Sequence, residues 1–300
     1  MLSQMSLDAL LHRQQPTWTE EFLKSPYSKL AKTLYAWKVQ QNPLPKHASL
    51  RAVCISDTHN TKPSLPDGDV LIHAGDLTQG GTAEEIQNAL DWLDDLPHPH
   101  KIVIAGNHDM LLDPQRTPNE QDARSSLDWG SIHYLQDAAV TLKLHHGRTV
   151  TVYGSPWTRK HGNWAFQYDK GVDVFSRTVP DSVDILVTHS PPKYHLDIAD
   201  WGDEYLLNEL WRVRPKLHVF GHLHAGYGRD TLLYNNFERL YETVCRGAGS
   251  ILTLMQMAIL LLWTRIMGDG QPCQRTELVN ATSIGGLKDT DHRPPHIVYL

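Results

Sequence analysis

The segment Val70-Leu71-Ile72-His73-Ala74-Gly75-Asp76 is the clearest strand in this 300-residue chain, and it decides the predicted fold. It is a short apolar run that stops at a glycine and then presents one carboxylate, that of Asp76. A short apolar run bounded by glycine is typical of a strand buried on both faces in a parallel sheet. In such sheets, reactive side chains lie in loops just beyond the carboxyl ends of the strands. We therefore predict that Asp76 belongs to a functional site.

Four other apolar runs end in the same way, with oxygen or nitrogen donors directly after the strand. The residues that follow them are Asp57 and His59, Asn107-His108-Asp109, His189, and His222-Leu223-His224. Between Val70–Ala74 and Ile102–Ala105, a capping box at Thr82 and apolar residues at helical spacing predict a helix. This order favours parallel strands, so we expect Asp76 and Asn107 on neighbouring strand ends. The sequence predicts a site for more than one metal ion at these ends.

Each motif also has an ordinary explanation when it is taken alone. Asp57-Thr58-His59 can be a turn with a surface histidine, and the Asn107 motif can be a turn of small polar residues. His222 and His224 can be solvated. In a metal site, the Asn107 carbonyl would add an oxygen ligand without adding charge. His108 would then face substrate, and Asp109 would fix its tautomer and raise its pKa.

Composition limits the classes of function. Hydrophobic residues make up 40% of the chain, which is enough for one large core. A net charge of −6 argues against a nucleic-acid polymer as partner. Eighteen histidines supply the commonest metal ligand, and three cysteines without CxxC spacing support neither a disulfide framework nor a zinc ribbon. The first residues lack the pattern of a signal peptide, so we expect an intracellular, cytoplasmic protein.

Two segments fall outside the strand pattern. Residues 1–47 are predicted to form an N-terminal helical extension, with a helix over Tyr27–Val39 on the outside of a main domain at 48–300. A hydrophobic helical insertion is predicted near 240–268, because Ile251–Trp263 is almost wholly apolar. This run is shorter than the about 20 residues that span a bilayer. We expect it to be buried against the domain, and peripheral membrane contact is the alternative.

Three further features complete the expected fold. Alternating residues on both sides of His145-His146-Gly147-Arg148 predict a β-hairpin, and the two histidines at its exposed tip are not expected to bind metal. Leu278–Asn280 and Ile297–Tyr299 are predicted to be short strands that complete a second sheet. Three aromatic residues either fill the core or wall a pocket: Trp157, Trp164 and Phe166.

The motifs D-x-H, G-D, G-N-H-D, H and G-H-x-H, in this order, closely resemble those of the calcineurin-like metallophosphoesterase superfamily. The resemblance covers about Arg51 to Leu300. Three segments are similar to the small branch of metallophosphoesterase-domain-containing proteins, for which cyclic-nucleotide phosphodiesterase activity is implied: Gly154–Trp157, Arg214–His222 and Leu278–Thr282. The resemblance implies an α/β (α+β) fold, in which two mixed β-sheets pack as a sandwich flanked by helices.

The resemblance also implies a role for each motif residue. One ion would be held by Asp57, His59 and His224. The other would be held by Asn107, His189 and His222, with Asp76 bridging the two ions. A hydroxide between the ions would attack a phosphodiester. His108, backed by Asp109, would protonate the departing oxygen or clamp the phosphate. Mixed nitrogen and oxygen ligands suit manganese, iron or zinc, and four histidines disfavour an all-magnesium site.

Two other functions stay open at this point. A phosphomonoesterase acting on proteins or small phosphates would use the same residues. A non-catalytic scaffold would keep the fold after losing its ligands. The presence of every expected ligand, and of His108, favours an enzyme whose partner is a small phosphoester.

Overall fold

The computed structural model describes residues 17–40, 50–144, 147–198, 200–267, 273–285 and 290–300. The helices in these ranges are α1 (Trp18–Lys24), α2 (Pro26–Gln40), α3 (Ala83–Asp94), α4 (Gln121–Ser125), α5 (Glu204–Val213), α6 (Asn236–Cys245) and α7 (Ile251–Met267). The strands are β1 (Arg51–Ile55), β2 (Val70–Ala74), β3 (His100–Ile104), β4 (Ile132–Tyr134), β5 (Ala138–Lys143), β6 (Thr149–Ser155), β7 (Thr158–Arg159), β8 (Gln167–Tyr168), β9 (Ile185–Thr188), β10 (Leu217–Phe220), β11 (Gly228–Leu233), β12 (Arg275–Asn280), β13 (Ile284–Gly285), β14 (Asp291–His292) and β15 (His296–Tyr299).

Two mixed sheets form the centre of the fold. The first has the order β15-β1-β2-β3-β4 and is parallel except for β15, which runs antiparallel to β1. The second has the order β11-β12-β10-β9-β6-β5, with four parallel central strands and an antiparallel strand at each edge. The predicted α/β fold with two mixed sheets and flanking helices is confirmed.

The two sheets pack face to face around an apolar core. Ile72 of β2 and Val187 of β9 belong to one buried cluster that draws residues from both sheets. Leu71, whose side chain points to the opposite face of β2, packs instead against Ile86 and Leu90 of α3. Because both faces of these strands are covered, their sequences are continuous apolar runs rather than alternating ones.

Helix α3 begins at the predicted capping box. The Thr82 hydroxyl accepts a hydrogen bond from the Glu85 amide at 3.2 Å, and the Glu85 carboxylate accepts one from the Thr82 amide at 3.0 Å. The helix carries the chain from β2 to β3, which pair in parallel as neighbours. This confirms the prediction that Asp76 and Asn107 follow neighbouring strands.

The strands near the end of the chain agree with the predictions only in part. The strand over Leu278–Asn280 is part of β12 in the second sheet, as predicted. The strand over Ile297–Tyr299 is part of β15, which pairs with β1 in the first sheet. Its assignment to the second sheet was wrong, because a local pattern predicts a strand but not the strand with which it pairs. The predicted hairpin is present as β5 and β6. His145 and His146 lie outside the described residues.

Three helices, α2, α6 and α7, pack together beside β11, an edge strand of the second sheet. The helix predicted over Tyr27–Val39 is present as α2, and it packs against α6 and α7. Their shared apolar cluster consists of Ala31, Tyr35, Phe237, Tyr241, Val244, Leu254, Met257 and Leu261. The division of the chain after residue 47 stays a prediction.

Helix α7 is buried on one face only. Leu254, Met257 and Leu261 face the helical cluster. Eight apolar residues of the same helix are more than half exposed: Ile251, Leu252, Met255, Ile259, Leu262, Trp263, Ile266 and Met267. The prediction of a buried helix is therefore correct for one face only. The sequence did not show which face packs, because apolar residues occur on all sides of the helix. Peripheral membrane contact stays a prediction. None of the helices in the described ranges has the length and apolar character needed to cross a membrane.

The two faces of α7 predict opposite responses to truncation. Met257 is 0% exposed and Ile259 is 61% exposed. Met257→Ala should lower the free energy of unfolding by about 2–5 kcal/mol, because it leaves a cavity. Ile259→Ala should change it by less than about 0.5 kcal/mol. Chemical denaturation measures both, and equal losses would contradict this orientation of the helix.

Candidate metal centre

The predicted ligands converge at one edge of the sandwich, where carboxyl ends of parallel strands from both sheets meet. The first sheet contributes four residues from the ends of β1, β2 and β3: Asp57, His59, Asp76 and Asn107. The second sheet contributes three from the ends of β9 and β10: His189, His222 and His224. Their side chains are withdrawn from solvent. The structure therefore brings together all seven residues that the sequence singled out.

The first group of donors comprises Asp57, His59 and His224, whose ligand atoms lie within 4.8 Å of one another. His224 Nε2 lies 3.3 Å from Asp57 Oδ1. Both ring nitrogens of His59 are buried and have no hydrogen-bond partner within the described part of the chain. Because a buried polar atom without a partner is costly, the ring needs a cation or another ligand. This group fits a metal ion.

The second group is built around His189. Its Nδ1 donates a hydrogen bond to the Ala74 carbonyl at 2.8 Å, so its Nε2 is the atom available as a ligand. That Nε2 lies 3.3 Å from Asp76 Oδ2 and 3.2 Å from Asn107 Oδ1. Two ligands about 2.1 Å from a tetrahedral ion lie about 3.4 Å apart, so these separations suit a shared cation.

The charge of this group also demands a cation. Burial disfavours a charged imidazole, but Asp76 raises the pKa of His189 to about 9. Without a metal ion, the ring therefore holds a proton at neutral pH. Because metal ions and protons compete for the same lone pair, a ligand set that attracts the proton also attracts the metal.

Asp76 lies between the two groups. Its Oδ2 is 3.3 Å from His189 Nε2 and 3.7 Å from His59 Nε2, and its Oδ1 accepts a hydrogen bond from the His108 amide at 2.7 Å. Burial alone would raise the pKa of Asp76, but His189 and His108 hold it well below its usual range. The carboxylate is therefore charged and close to both sets of donors, as a bridging ligand must be.

The ligand loops have unusual backbone conformations. Asp57, His59, Asp76 and His222 adopt the left-handed region, with φ of 51°, 42°, 54° and 66°. Each such residue costs of the order of 1–3 kcal/mol, and clusters of them are typical of functional sites. Hydrogen bonds from the His222 amide to both carboxylate oxygens of Asp57, each 3.1 Å long, help to hold two of these turns.

Glycines allow the loops to approach each other. A Cβ on Gly75 would lie 2.6 Å from His189 Nδ1, and one on Gly221 would overlap the Asp57 carboxylate. Only glycine fits at these two positions, because any side chain would displace a candidate ligand. This steric constraint explains why glycine occupies these positions in the G-D and G-H-x-H motifs.

His108 lies beside the ligands, in a group with His59 and Asp76. Its Nδ1 lies 2.8 Å from the Gln79 carbonyl oxygen. Because that oxygen can only accept, Nδ1 carries the hydrogen, and Nε2 is the ring nitrogen that Gln79 leaves free. The Gln79 carbonyl thus orients the His108 ring and fixes its tautomer, a role that we had predicted for Asp109.

Asp109 instead holds the loops after β2 and β3 together. It is fully buried and accepts hydrogen bonds from the Leu77 amide at 3.2 Å, the Thr78 amide at 3.0 Å and the Gly106 amide at 2.8 Å. Burial and the nearby Asp76 raise the pKa of Asp109 to about 6. In this structure Asp109 positions the backbone that carries Asn107 and His108, and a catalytic role for it stays a prediction.

The loop between β7 and β8 places two residues near the site: His161, for which nothing was predicted, and Trp164, which was left open between core and pocket. The His161 ring centroid is 5.0 Å from that of His222, and the Trp164 ring stacks on His108 with centroids 4.2 Å apart. Of the three aromatic residues left between core and pocket, Trp164 lies at the site, whereas Phe166 is fully buried. Trp157 is half-buried, packs against the core and donates to Asp137. The only signal for this loop was its aromatic content.

Comparison with known proteins agrees with this geometry. The family model described as calcineurin-like phosphoesterase matches residues 50–226, a range that includes every candidate ligand. The chain belongs to the calcineurin-like phosphoesterase family. This confirms the resemblance that the five motifs indicated.

Similar proteins come from animals and a fungus. Metallophosphoesterase domain-containing protein 1 of Homo sapiens is 39% identical over 210 residues, which cover 59% of this chain and 61% of that protein. UPF0046 protein C25E10.12 of Caenorhabditis elegans is 36% identical over 201 residues, covering 61% of this chain and 71% of that protein. Probable rhamnogalacturonate lyase C of Emericella nidulans is 43% identical over 296 residues, covering 96% of this chain and 28% of that protein. This chain thus spans less than two thirds of the human protein and of the fungal protein.

Removing Asp76 should empty both halves of the site, because its carboxylate contacts both groups of donors. Asp76→Ala should bind about two fewer Mn²⁺ ions per chain than the unsubstituted protein. Elemental analysis after reconstitution and gel filtration measures this difference.

His98→Ala is the matched control for this measurement. His98 is a buried histidine whose Nε2 bonds to the Pro66 carbonyl at 3.0 Å, away from the candidate ligands. This variant should retain all its manganese. An unsubstituted protein that binds none, or an equal loss in both variants, would overturn the assignment of the site.

Proposed function

We propose that the chain is a phosphoesterase that uses two metal ions to hydrolyse phosphodiester bonds in small molecules, with cyclic nucleotides as a suitable class. The observation that carries this proposal is the convergence of donors from five strand ends into groups whose ligand atoms lie within 4.8 Å of one another. Three such groups share one edge of the sandwich: Asp57, His59 and His224; Asp57, Asp76 and His189; and His59, Asp76 and His108. Membership of the calcineurin-like phosphoesterase family supports the same conclusion.

The donor set fits divalent transition metals. Asp57, His59 and His224 would hold one ion, and Asn107, His189 and His222 the other, with Asp76 between them. Mixed imidazole and oxygen donors suit Mn²⁺, Fe²⁺ and Zn²⁺ better than Mg²⁺. When bound, a pair of such ions supplies a nucleophile from water at neutral pH and neutralises the phosphate oxygens.

His108 is the residue of this chain that would move a proton. Its Nδ1 is held by the Gln79 carbonyl, so its Nε2 is the atom that would deliver a proton to the departing oxygen. The His108 amide donates to Asp76, which fixes the ring relative to the proposed bridging ligand. Asp109 would act indirectly, by holding the backbone on both sides of this contact.

Trp164 supports a substrate that carries a ring. Its indole stacks on His108 and is half-buried, so it lies where the leaving group of a substrate would be. Stacking of a nucleobase on an aromatic side chain contributes about 1–3 kcal/mol. The net charge of −6 disfavours a long polyanion, and together these features favour a single nucleotide over a nucleic-acid polymer.

Two alternatives share the fold. A phosphomonoesterase would use the same donors, and a scaffold would keep the sandwich without turnover. The complete donor set, together with His108, argues against the scaffold. The activity in the name of the Emericella nidulans relative is not transferred to this chain, because the match spans 28% of that protein.

A substrate panel tests the proposal. Protein reconstituted with Mn²⁺ is assayed with cyclic nucleotides, bis-p-nitrophenyl phosphate and p-nitrophenyl phosphate, with Asp76→Ala as the blank. We expect the diesters to be hydrolysed faster than the monoester. A faster monoester would favour the phosphomonoesterase, and no turnover by metal-loaded protein would favour the scaffold.

Replacing His108 should separate metal binding from turnover. His108→Ala should keep its metal and lose about 10²–10⁴-fold in rate on cyclic nucleotides, because a positioned acid is removed. The loss should be smaller for p-nitrophenyl esters, whose leaving group needs little protonation. Rates on both substrates and metal content by elemental analysis measure these effects.

His133→Ala, at an exposed position on β4, is the control and should match the unsubstituted protein. An equal loss on good and poor leaving groups would mean that His108 clamps the phosphate. Loss of metal in His108→Ala would make His108 a ligand.

A further inference from the structure

A second group of metal-ligand side chains lies outside the phosphoester site, beneath α2 and beside α6. It consists of His195, Glu238 and Glu242. His195 is in the connection between β9 and α5, and the two glutamates are one turn apart on the same side of α6. All three residues are buried, and their ligand atoms lie within 4.8 Å of one another. Three titratable side chains in an interior position require a physical explanation.

Each of the three side chains is held from outside the group. His195 Nδ1 lies 3.0 Å from Asp230 Oδ2 on β11. Glu238 Oε2 accepts a hydrogen bond from the Leu233 amide at 2.9 Å, and Glu242 Oε1 accepts one from Trp211 Nε1 at 2.6 Å. A metal-binding histidine commonly donates its other nitrogen to a carboxylate, and metal-binding carboxylates are commonly hydrogen-bonded in turn. The outer contacts of a metal site are therefore in place.

Two atoms that face inward make no hydrogen bond within the described part of the chain. His195 Nε2 and Glu238 Oε1 are buried, and neither has a hydrogen-bond partner within the described ranges. They lie 3.5 Å apart, beyond the about 2.7–2.9 Å of a charge-assisted hydrogen bond. Ligands of a tetrahedral zinc ion, each about 2.1 Å from the metal, lie about 3.4 Å apart. The separation suits two ligands of one ion better than a donor and its acceptor.

The alternative occupant is a proton. Burial disfavours a charged ring, but Asp230 and Glu238 raise the pKa of His195 to about 9. Burial also raises the pKa of Glu238 to about 8. A protonated His195 between Asp230 and Glu238 would form a buried ion cluster, with no role for a metal ion. The two occupants differ in whether a divalent cation changes the protein.

We propose that His195, Glu238 and Glu242 form a structural binding site for one divalent transition-metal ion, with zinc as the best match. One imidazole and two carboxylates are donors that Zn²⁺ accepts in tetrahedral sites. The ion joins α6 to the segment between β9 and α5. The Tyr35 ring of α2 covers the site, with its centroid 5.7 Å from that of His195 and 4.3 Å from that of Tyr241.

The test compares zinc content with and without the two glutamates. The full chain is purified with a chelator, loaded with Zn²⁺ alone and passed through gel filtration before elemental analysis. The double variant Glu238→Gln/Glu242→Gln should bind about one zinc ion per chain less than its parent, the unsubstituted protein. The same difference should appear when the parent is Asp76→Ala, so the result does not depend on whether the phosphoester site binds metal or is active.

Glu209→Gln on α5 is the matched control, because Glu209 is a buried carboxylate that pairs with Arg212 instead. Its zinc content should equal that of the parent. If the double variant does not fold, Glu242→Gln alone carries the comparison, since an amide oxygen can still accept from Trp211. Equal zinc content in variant and parent would overturn the proposal in favour of the ion cluster.

A second measurement follows thermal stability instead of zinc content. Zn²⁺ should raise the melting temperature of Asp76→Ala, because an ion that binds only the folded chain stabilises it by mass action. The rise should disappear in the triple variant with Glu238→Gln and Glu242→Gln. A melting temperature of Asp76→Ala that does not respond to Zn²⁺ would also overturn the proposal.

Discussion

The constraint on which this structure depends is the presence of two buried carboxylates, Asp57 and Asp76, at one edge of a β-sandwich. Removing two negative charges from water costs several kcal/mol for each ion unless positive charge lies close to both. His189, whose pKa is raised by Asp76, supplies part of this compensation at 3.3 Å from Asp76 Oδ2, and the His224 ring lies 3.3 Å from Asp57 Oδ1. The parallel strands of both sheets make this possible, because all their carboxyl ends meet at the same edge. The short turns, the left-handed backbone at Asp57 and Asp76, and the glycines that face them follow from holding these groups together.

Much of the site was predictable from the sequence because its residues are defined by local pattern. A short apolar run, a glycine and a polar residue are adjacent in the chain, and the parallel crossover places neighbouring strand ends side by side. Asp76 and Asn107 illustrate this, since a capping box between them identified the helix that joins their strands. His108 followed from its position next to Asn107. Its orienting partner did not, because Gln79 contributes only a backbone carbonyl, which any residue type would provide.

The parts that the sequence did not predict depend on contacts between distant segments. Strand β15 has the sequence pattern of a strand, but its partner β1 lies about 240 residues earlier in the chain. No local pattern in either segment indicates that the two strands pair. Trp164 reaches His108 through the course of a loop rather than through a strand end. On α6, Glu238 and Glu242 have the spacing of an ordinary solvent-exposed helix face. They are buried because α2 and β11 cover that face, which periodicity alone does not reveal.

The two proposed sites are connected through one segment of chain. His189 is the first residue after β9, and six residues later the same segment delivers His195 beneath α2. Between these two histidines, the chain is fixed by hydrogen bonds of the Asp203 amide to Pro191 and of the Lys193 amide to Asp203, each 3.0 Å long. The Tyr241 hydroxyl adds a hydrogen bond to the Tyr194 carbonyl at 3.1 Å. An ion at His195 would therefore immobilise the far end of the segment whose near end holds His189. Because a catalytic ligand acts only within a fraction of an ångström of its productive position, the three helices beside β11 would support the phosphoester site without touching it.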